Sequence, residues 1–335
     1  MKAYAKVNMF LKIMGKRPDG YHRIETLFQG ISLHDTVEIS KGDGGIQLVC
    51  EGPYSARLPQ DSENLAWQAA ELLSQRYPGR IPGVKIRIEK YIPVSAGLGG
   101  GSADAAAVLN GLNHIFSLGL GEGVLRSIAV KLGADVSFCL KPLTAIGHGI
   151  GDELEPVRPG IPLWIVLVKP PYGMAAKDVY ERWRSEDEDA RTGLAGLAGL
   201  TSLASRMRQG QLSSLLKGLR EGNPELIWSN MMNDLEEPAY SLMSSLRHYE
   251  DWVTEEDAFA SGVHSIGKKL LCGSGSTIAF WFAQEEAACM LELRLRESLR
   301  QYAGRNGGSV SKEGEPQIFL TRTLTAADLS EAYLN

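Results

Sequence analysis

Residues 83 to 116 constrain the fold more than any other part of this 335-residue chain, because they join a strand to a helix through almost bare backbone. Val84, Ile86 and Ile88 alternate with Lys85, Arg87 and Glu89, the period-two pattern of a strand with one buried face. Ile92-Pro93-Val94-Ser95-Ala96-Gly97-Leu98-Gly99-Gly100-Gly101-Ser102 follows, and the Ala- and Leu-rich run from Ala103 to Phe116 predicts a helix. That order gathers unpaired N–H groups and the positive end of a helix dipole around one point, where an anion is favoured. Four glycines in five positions exceed what a tight turn needs for steric relief, so the loop reads as a phosphate cradle. No Gly-Lys-Ser/Thr closes it as a Walker A loop would, and Gly97-x-Gly99-x-x-Ser102 misses the third glycine of a dinucleotide fingerprint.

Around this unit the pattern predicts an α+β fold. Ala3, Ala5, Val7, Met9, Leu11 and Ile13 share one face of an N-terminal strand and are expected in the core. Tyr4, Lys6, Asn8 and Phe10 share the other face, expected outside it. Lys6 and Asn8 are thus neighbours on a rigid element, either as parts of a site or as a solvated strand face. Pro18-Asp19-Gly20 marks a turn, which brings Tyr21, His22 and Phe28 near the end of that strand. Thr36 to Ser40 and Ile46 to Cys50 flank Gly42-Asp43-Gly44-Gly45 and predict a β-hairpin. Asn64 to Arg76 is an amphipathic helix, and Glu122 to Lys131 another, stopped by Gly133. Asp135, just beyond that stop, suits either a catalytic base or the N-cap of a short segment from Val136 to Leu140.

Single cores stop growing at roughly 250 to 300 residues, so two lobes are expected. The three prolines between Pro156 and Pro162 divide them, giving lobes of residues 1–158 and 159–335. In the second lobe Leu163 to Val168 reads as a buried strand, and helices dominate from Lys177 to about residue 265. Leu270-Leu271 and Ile278 to Phe282 read as strands around Gly273-Ser274-Gly275-Ser276, with a further strand over Ile318 to Thr321. A net charge of −5 argues against a nucleic-acid partner. No apolar run approaches the roughly 20 residues that span a bilayer, and the N-terminus lacks a signal-peptide pattern, so a cytoplasmic protein is expected. Cys50, Cys139, Cys272 and Cys289 are far apart and predict buried thiols rather than a zinc or disulfide framework. The histidines show no metal spacing, and no metal-ligand set is assigned. The acidic run from Arg184 to Arg191 reads as a solvated segment; the Gly-Leu-Ala repeat from Gly193 to Leu200 carries no functional reading.

Pro93-x-x-x-Gly97-Leu98-Gly99-Gly100-Gly101-Ser102 resembles the ATP-binding loop of the galactose, homoserine, mevalonate and phosphomevalonate (GHMP) kinase superfamily. Three further segments appear in the family's order: Ala5-Lys6-Val7-Asn8-Met9-Phe10-Leu11 with Arg17-Pro18-Asp19-Gly20-Tyr21-His22; Leu132-Gly133-Ala134-Asp135-Val136; and Gly273-Ser274-Gly275-Ser276. Together they span residue 3 to about residue 282. The Asp-Gly-Tyr-His element is similar to that of the superfamily members whose acceptor is a cytidine-diphosphate-linked methylerythritol.

The resemblance implies a two-lobe GHMP kinase fold with the active site in the cleft between lobes, and ATP-dependent, direct in-line phosphorylation of the acceptor's 2-hydroxyl in non-mevalonate isoprenoid precursor synthesis. By the same resemblance, Asp135 is the base and Lys6 contacts both it and the acceptor. Pro93, Gly97, Leu98, Gly99, Gly100, Gly101 and Ser102 hold ATP phosphates, and Asn64 approaches the adenine. Asn8, Gly273 and Ser274 face the erythritol and phosphates; Tyr21, His22, Phe28 and Tyr180 face the cytosine. Mg2+ would neutralise the phosphate oxygens, a general need of phosphoryl transfer.

The chain departs from the family pattern where Ala103 replaces a second serine after the triple glycine, where Cys272 replaces the serine before Gly273, and from His264 to Lys269, which lacks the small-residue character common there. The rival readings are a GHMP kinase of another small alcohol, such as homoserine or mevalonate, and a silent nucleotide-binding protein. Tyr21-His22 argues against the first, since those acceptors carry no cytosine, and the presence of Lys6 and Asp135 against the second.

Overall fold

The structure, a computed structural model, describes residues 1–56, 58–158, 161–183, 210–251, 266–305 and 314–332. The acidic run at 184–191 and the repeat at 193–200 lie outside the described residues, as do positions 264 and 265 of the departure noted above.

The strands of the first half are β1 (Lys2–Lys16), β2 (His22–Lys41), β3 (Gly45–Glu51), β4 (Gly83–Glu89), β5 (Thr144–His148) and β6 (Glu153–Val157). Those of the second half are β7 (Trp164–Lys169), β8 (Met232–Asn233), β9 (Lys268–Leu271), β10 (Ile278–Phe282) and β11 (Gln317–Arg322). They form a seven-stranded sheet in the order β3-β4-β2-β1-β8, with β5 and β6 branching from β2, and a four-stranded sheet in the order β11-β7-β10-β9. Strands thus change sheet between β6 and β7, and the short β8 crosses back to run parallel to β1. Four helices of the first half follow the sequence reading: α1 (Leu65–Arg76), α2 (Gly100–Ile115), α3 (Glu122–Leu132) and α4 (Ala134–Cys139). After β7 comes α5 (Ala176–Arg182). No helix among the described residues is long and apolar enough to cross a membrane.

Two strand expectations are corrected. Residues 36–40 and 46–50 do not form a hairpin, because β4 lies between them, antiparallel to β2 and parallel to β3. The glycine turn carries the chain past this inserted strand, and Gly42 N donates to the Gly83 carbonyl where β4 begins (3.0 Å). A glycine turn permits pairing of its flanks but does not enforce it, and the apolar alternation of β4 takes the place beside β2. Nor is β1 exposed on one face: Tyr4, Lys6, Asn8 and Phe10 are all buried, like Ala5 and Val7. Register shifts between Tyr4 and Lys6 and between Asn8 and Phe10 interrupt strict alternation. Both sides are covered as well, Phe10 in the main core with the α2 residues and Tyr4 against Leu324 and Leu329 of the C-terminal segment.

The largest core lies where α1 to α4 cover the first sheet. Ala103, Ala105, Ala106 and Ala107 of α2 are buried against Ile86, Ile88 and Val37, and such small side chains let the helix approach the strands closely. Each fully buried Ile or Leu there contributes roughly 1.5 to 3 kcal/mol. This packing holds the start of α2, and with it the glycine loop, against β1 at Lys6 and the end of β4.

Candidate active site

Lys6, near the middle of β1, is the hub of the site. Its ammonium donates to Asn8 Oδ1 at 3.1 Å and lies 3.2 Å from Asp135 Oδ2. Asn8 is itself oriented, since its amide donates to Thr26 Oγ1 (2.8 Å) and that hydroxyl donates to the Phe10 carbonyl (2.6 Å). Asp135 sits in the first turn of α4, whose N-cap is Gly133. Of the two uses the sequence left open for it, the cap therefore falls to another residue. The Lys6 side chain is 6% exposed and that of Asp135 35%, so the pair is closed on the lysine side and open on the carboxylate side.

The glycine loop wraps around the same lysine. Lys6 N donates to the Leu98 carbonyl (2.9 Å), tying β1 to the loop through main chain. Gly99, the N-cap of α2, has φ of 71° and offers no side chain to the first-turn N–H groups; a Cβ on it would stand 3.0 Å from Lys6 Cγ. The helix begins at Gly100, earlier than the Ala103 expected, so the last glycines of the loop are themselves its first turn. Gly101 is exposed and Ser102 half-buried, while Pro93 and Leu98 are buried. The result is an open helix N-terminus beside a cation, the electrostatic complement of a phosphate.

Gly273 to Ser276 connects β9 to β10 and rests on this loop. A Cβ on Gly97, at φ of 78°, would stand 1.9 Å from the Cys272 carbonyl oxygen, so the two glycine loops approach each other as only bare backbone can. Thr277 N donates to the Ala96 carbonyl (3.3 Å), and Asn233 holds the second loop through the Leu271 and Gly273 carbonyls (3.0 and 2.7 Å). A Cβ on Gly273 would lie 3.3 Å from Lys6 Nζ. Ser274 is half-exposed beside it. Burial pushes the Cys272 thiol up to about 12, and a thiol in that state is not a nucleophile.

The aromatic candidates separate. His22 meets Tyr180 of α5 with ring centroids 5.4 Å apart and Trp183 at 5.6 Å, edge to face. Tyr21, on the same hairpin, is 62% exposed. Phe28 is not part of this group: it is fully buried, stacked on Phe138 at 4.8 Å, with Lys6 above its ring. Burial, and then the nearby charge of Asp135, raises the Tyr180 hydroxyl above its ordinary range. Asn64 is the N-cap of α1; its side chain accepts from Ala66 N (2.9 Å) and donates to the Pro59 carbonyl (2.8 Å). The next residue, Leu65, approaches Gly101, so this corner adjoins the glycine loop although the Asn64 amide is engaged in capping.

Sequence reasoning missed Thr26, Asn233 and Trp183, which carry no local motif, and a buried cluster behind the loop. Lys90 Nζ lies 2.5 Å from Asp35 Oδ2 and 2.6 Å from Asp104 Oδ2, and each of the three side chains is 6% exposed or less. Read in order, Glu89-Lys90-Tyr91 looks like the solvated end of a strand, and only the fold brings Asp35 and Asp104 to it. Among the described residues no group of three or more His, Cys, Asp or Glu side chains could hold a metal ion.

The family of GHMP kinases N terminal domains matches residues 64–141. A 4-diphosphocytidyl-2-C-methyl-D-erythritol kinase of Moorella thermoacetica is 37% identical over 324 residues, covering 97% of this chain and 98% of that protein. The protein of the same name from a Synechococcus species is 41% identical over 282 residues, 82% of each chain. Among solved structures, a crystal structure of 4-(cytidine 5'-diphospho)-2C-methyl-D-erythritol kinase superposes with a TM-score of 0.69 at 27% identity, covering 97% of this chain and 99% of that one. The L. major mevalonate kinase solved with R-mevalonate reaches the same TM-score at 16% identity, a likeness of fold alone.

Proposed function

Since the chain belongs to the 4-diphosphocytidyl-2-C-methyl-D-erythritol kinases of the GHMP kinase family and is an ATP-dependent small-molecule kinase, we propose how its own residues carry out that reaction. The transfer moves the γ-phosphoryl group of ATP to the 2-hydroxyl of 4-diphosphocytidyl-2-C-methyl-D-erythritol, in line and without a covalent enzyme intermediate. The observation that carries this reading is the 3.2 Å pair of Lys6 and Asp135 on the rim of a glycine loop and an uncapped helix start.

Phosphoryl transfer asks the protein mainly for positioning and charge stabilisation. The main chain of Gly97 to Ser102 cradles the phosphates, and bare glycine is what lets them approach. Asp135, open to the cleft, accepts the proton of the acceptor hydroxyl. Lys6 keeps that carboxylate oriented and stabilises charge on the oxygens being exchanged. Asn8, held by Thr26, and the Gly273-Ser274 loop line the acceptor. His22, Tyr180 and the exposed Tyr21 bind the cytosine, with Trp183 as an added wall. Phe28 shapes the floor under Lys6 from within the core and has no stacking role. Asn64 acts on the nucleotide through the corner it caps. Residues 1–158 supply the nucleotide cradle, the base and one side of the acceptor site, and residues 159–335 add Tyr180, Trp183, Gly273 and Ser274 from the other side.

Mg2+ would arrive with the nucleotide. Such an ion keeps many of its ligands as water and phosphate oxygens, and Asp135 and Ser102 are the side chains of this site that would offer it oxygen. When bound it neutralises the phosphate oxygens.

The test is ATP consumption by the purified protein with Mg2+, comparing 4-diphosphocytidyl-2-C-methyl-D-erythritol with homoserine, mevalonate and no acceptor. Turnover confined to the cytidine substrate is expected. Turnover with another alcohol instead would overturn the acceptor assignment.

A further inference from the structure

The buried cluster of Asp35, Lys90 and Asp104 has no place in the chemistry above, yet its members bracket the phosphate loop. Lys90 is the first residue after β4, and its own N–H donates to the Glu51 carbonyl (2.8 Å), anchoring it to the sheet edge. Asp35, in the middle of β2, uses its second oxygen to accept from Tyr91 N (2.6 Å) and Ile92 N (2.8 Å), the two residues that lead into the loop. Asp104 lies in α2, just past the last loop residue. The Lys90 ammonium therefore joins the chain before the loop to the chain after it, across a gap that the sequence closes only through Pro93 to Ala103. Gly100 packs directly on this bridge, since a Cβ there would lie 2.9 Å from Ile92 Cγ2 and 3.4 Å from Lys90 Nζ.

We infer that Asp104 and Lys90 are positioning residues for nucleotide binding, a bridge at the base of the phosphate loop that sets how far its N–H groups stand apart. The inference rests on the reading of Gly97 to Ser102 as the ATP phosphate cradle. A buried charged cluster is poor evidence of added stability, because desolvation offsets much of its attraction, while its fixed geometry specifies one arrangement of the groups it joins. The chain here has few other means to that end: the loop is glycine-rich, and its helix has no side-chain cap.

Asp104 is the member to change, because its loss leaves Lys90 and Asp35 as a matched pair with no orphaned charge. Asp104→Ala severs the bridge, and Asp104→Asn keeps an oxygen to accept from Lys90. ATP affinity is measured by calorimetry without acceptor, and KM for ATP and for the cytidine substrate by steady-state turnover, with thermal melting of each variant. Asp104→Ala is expected to weaken ATP binding and raise its KM on the order of tenfold, with the acceptor KM unchanged, and Asp104→Asn to restore most of the loss. Should Asp104→Ala not fold, Asp104→Leu fills the space and severs the same bond, with the same expectation. A purely structural role would lower the active fraction, and hence kcat, at wild-type ATP affinity; that outcome overturns the inference. Wild-type protein that binds ATP but turns over no cytidine substrate would instead count against the proposed acceptor and leave the bridge to be judged by calorimetry alone.

Discussion

Lys6 Nζ and Asp135 Oδ2 stand 3.2 Å apart although 129 positions separate them in the chain, one on a central strand and the other on the first turn of a six-residue helix. The lysine is closed in by Phe28, Asn8 and the two glycine loops, whereas the Asp135 side chain remains 35% exposed. A base that must meet a substrate hydroxyl needs that asymmetry.

Asp135→Asn removes the proposed proton acceptor and keeps the shape. We expect kcat to fall by about 10² to 10⁴, the usual reach of general base catalysis, with ATP affinity nearly unchanged. Steady-state turnover beside calorimetric ATP titration checks both halves. A variant with kcat within a few-fold of wild type would remove Asp135 from the role of base.

Gly97→Ala places a Cβ where the Cys272 carbonyl oxygen already sits, at a backbone angle that also disfavours a side chain. Strain of this kind costs on the order of 1 to 3 kcal/mol, and here it also drives the two glycine loops apart. The expected result is a lower Tm together with weakened ATP binding. Unchanged melting and affinity would mean that the loops separate freely.

Tyr180→Ala and Trp183→Ala open the wall beside His22. Stacking of a base on an aromatic ring is worth roughly 1 to 3 kcal/mol, so KM for the cytidine substrate should rise by about tenfold or more, with KM for ATP held. Phe28→Leu is predicted to behave differently, lowering Tm through lost packing on Phe138 without that selective change in KM. The reverse pattern would return Phe28 to the base site.

Burial, opposed by Lys90 and reinforced by Asp35, pushes the Asp104 carboxyl up to about 8. The folded state therefore holds a proton that the unfolded chain releases near the ordinary carboxylate value of 3.8. The resulting contribution to stability is fully present below that value and is lost as pH rises through about 8. Besides Lys90 and Asp35, the thiols of Cys50 on β3 and Cys139 on α4 are within its electrostatic reach, both themselves raised by burial. Urea denaturation at pH 5, 7 and 9 should show wild type losing stability relative to Asp104→Asn as pH rises. Parallel curves for the two proteins would place the proton elsewhere.

Much of the site was legible in the order of residues because it is built from local main-chain geometry. The loop from Pro93 to Ser102, the helix after it and the strands around Gly273 follow from periodicity and from glycines that tolerate positive φ, properties of a few adjacent residues. Resemblance to the GHMP kinases then supplied the functional reading of Lys6 and Asp135, which spacing alone left balanced against a solvated strand and a helix cap. Tertiary structure decided what depends on partners distant in sequence. Insertion of β4 between β2 and β3 replaced a plausible hairpin, since pairing is won by the strand with the better apolar face and not by the nearest one. Covering β1 from both sides buried Phe10 and Tyr4, and the same packing drew Phe28 into the core and left His22 with Tyr180 and Trp183. Lys90 reads as a surface charge until Asp35 and Asp104 converge on it, because the free energy of a buried charge belongs to the cluster that surrounds it and no single residue in that cluster announces the others.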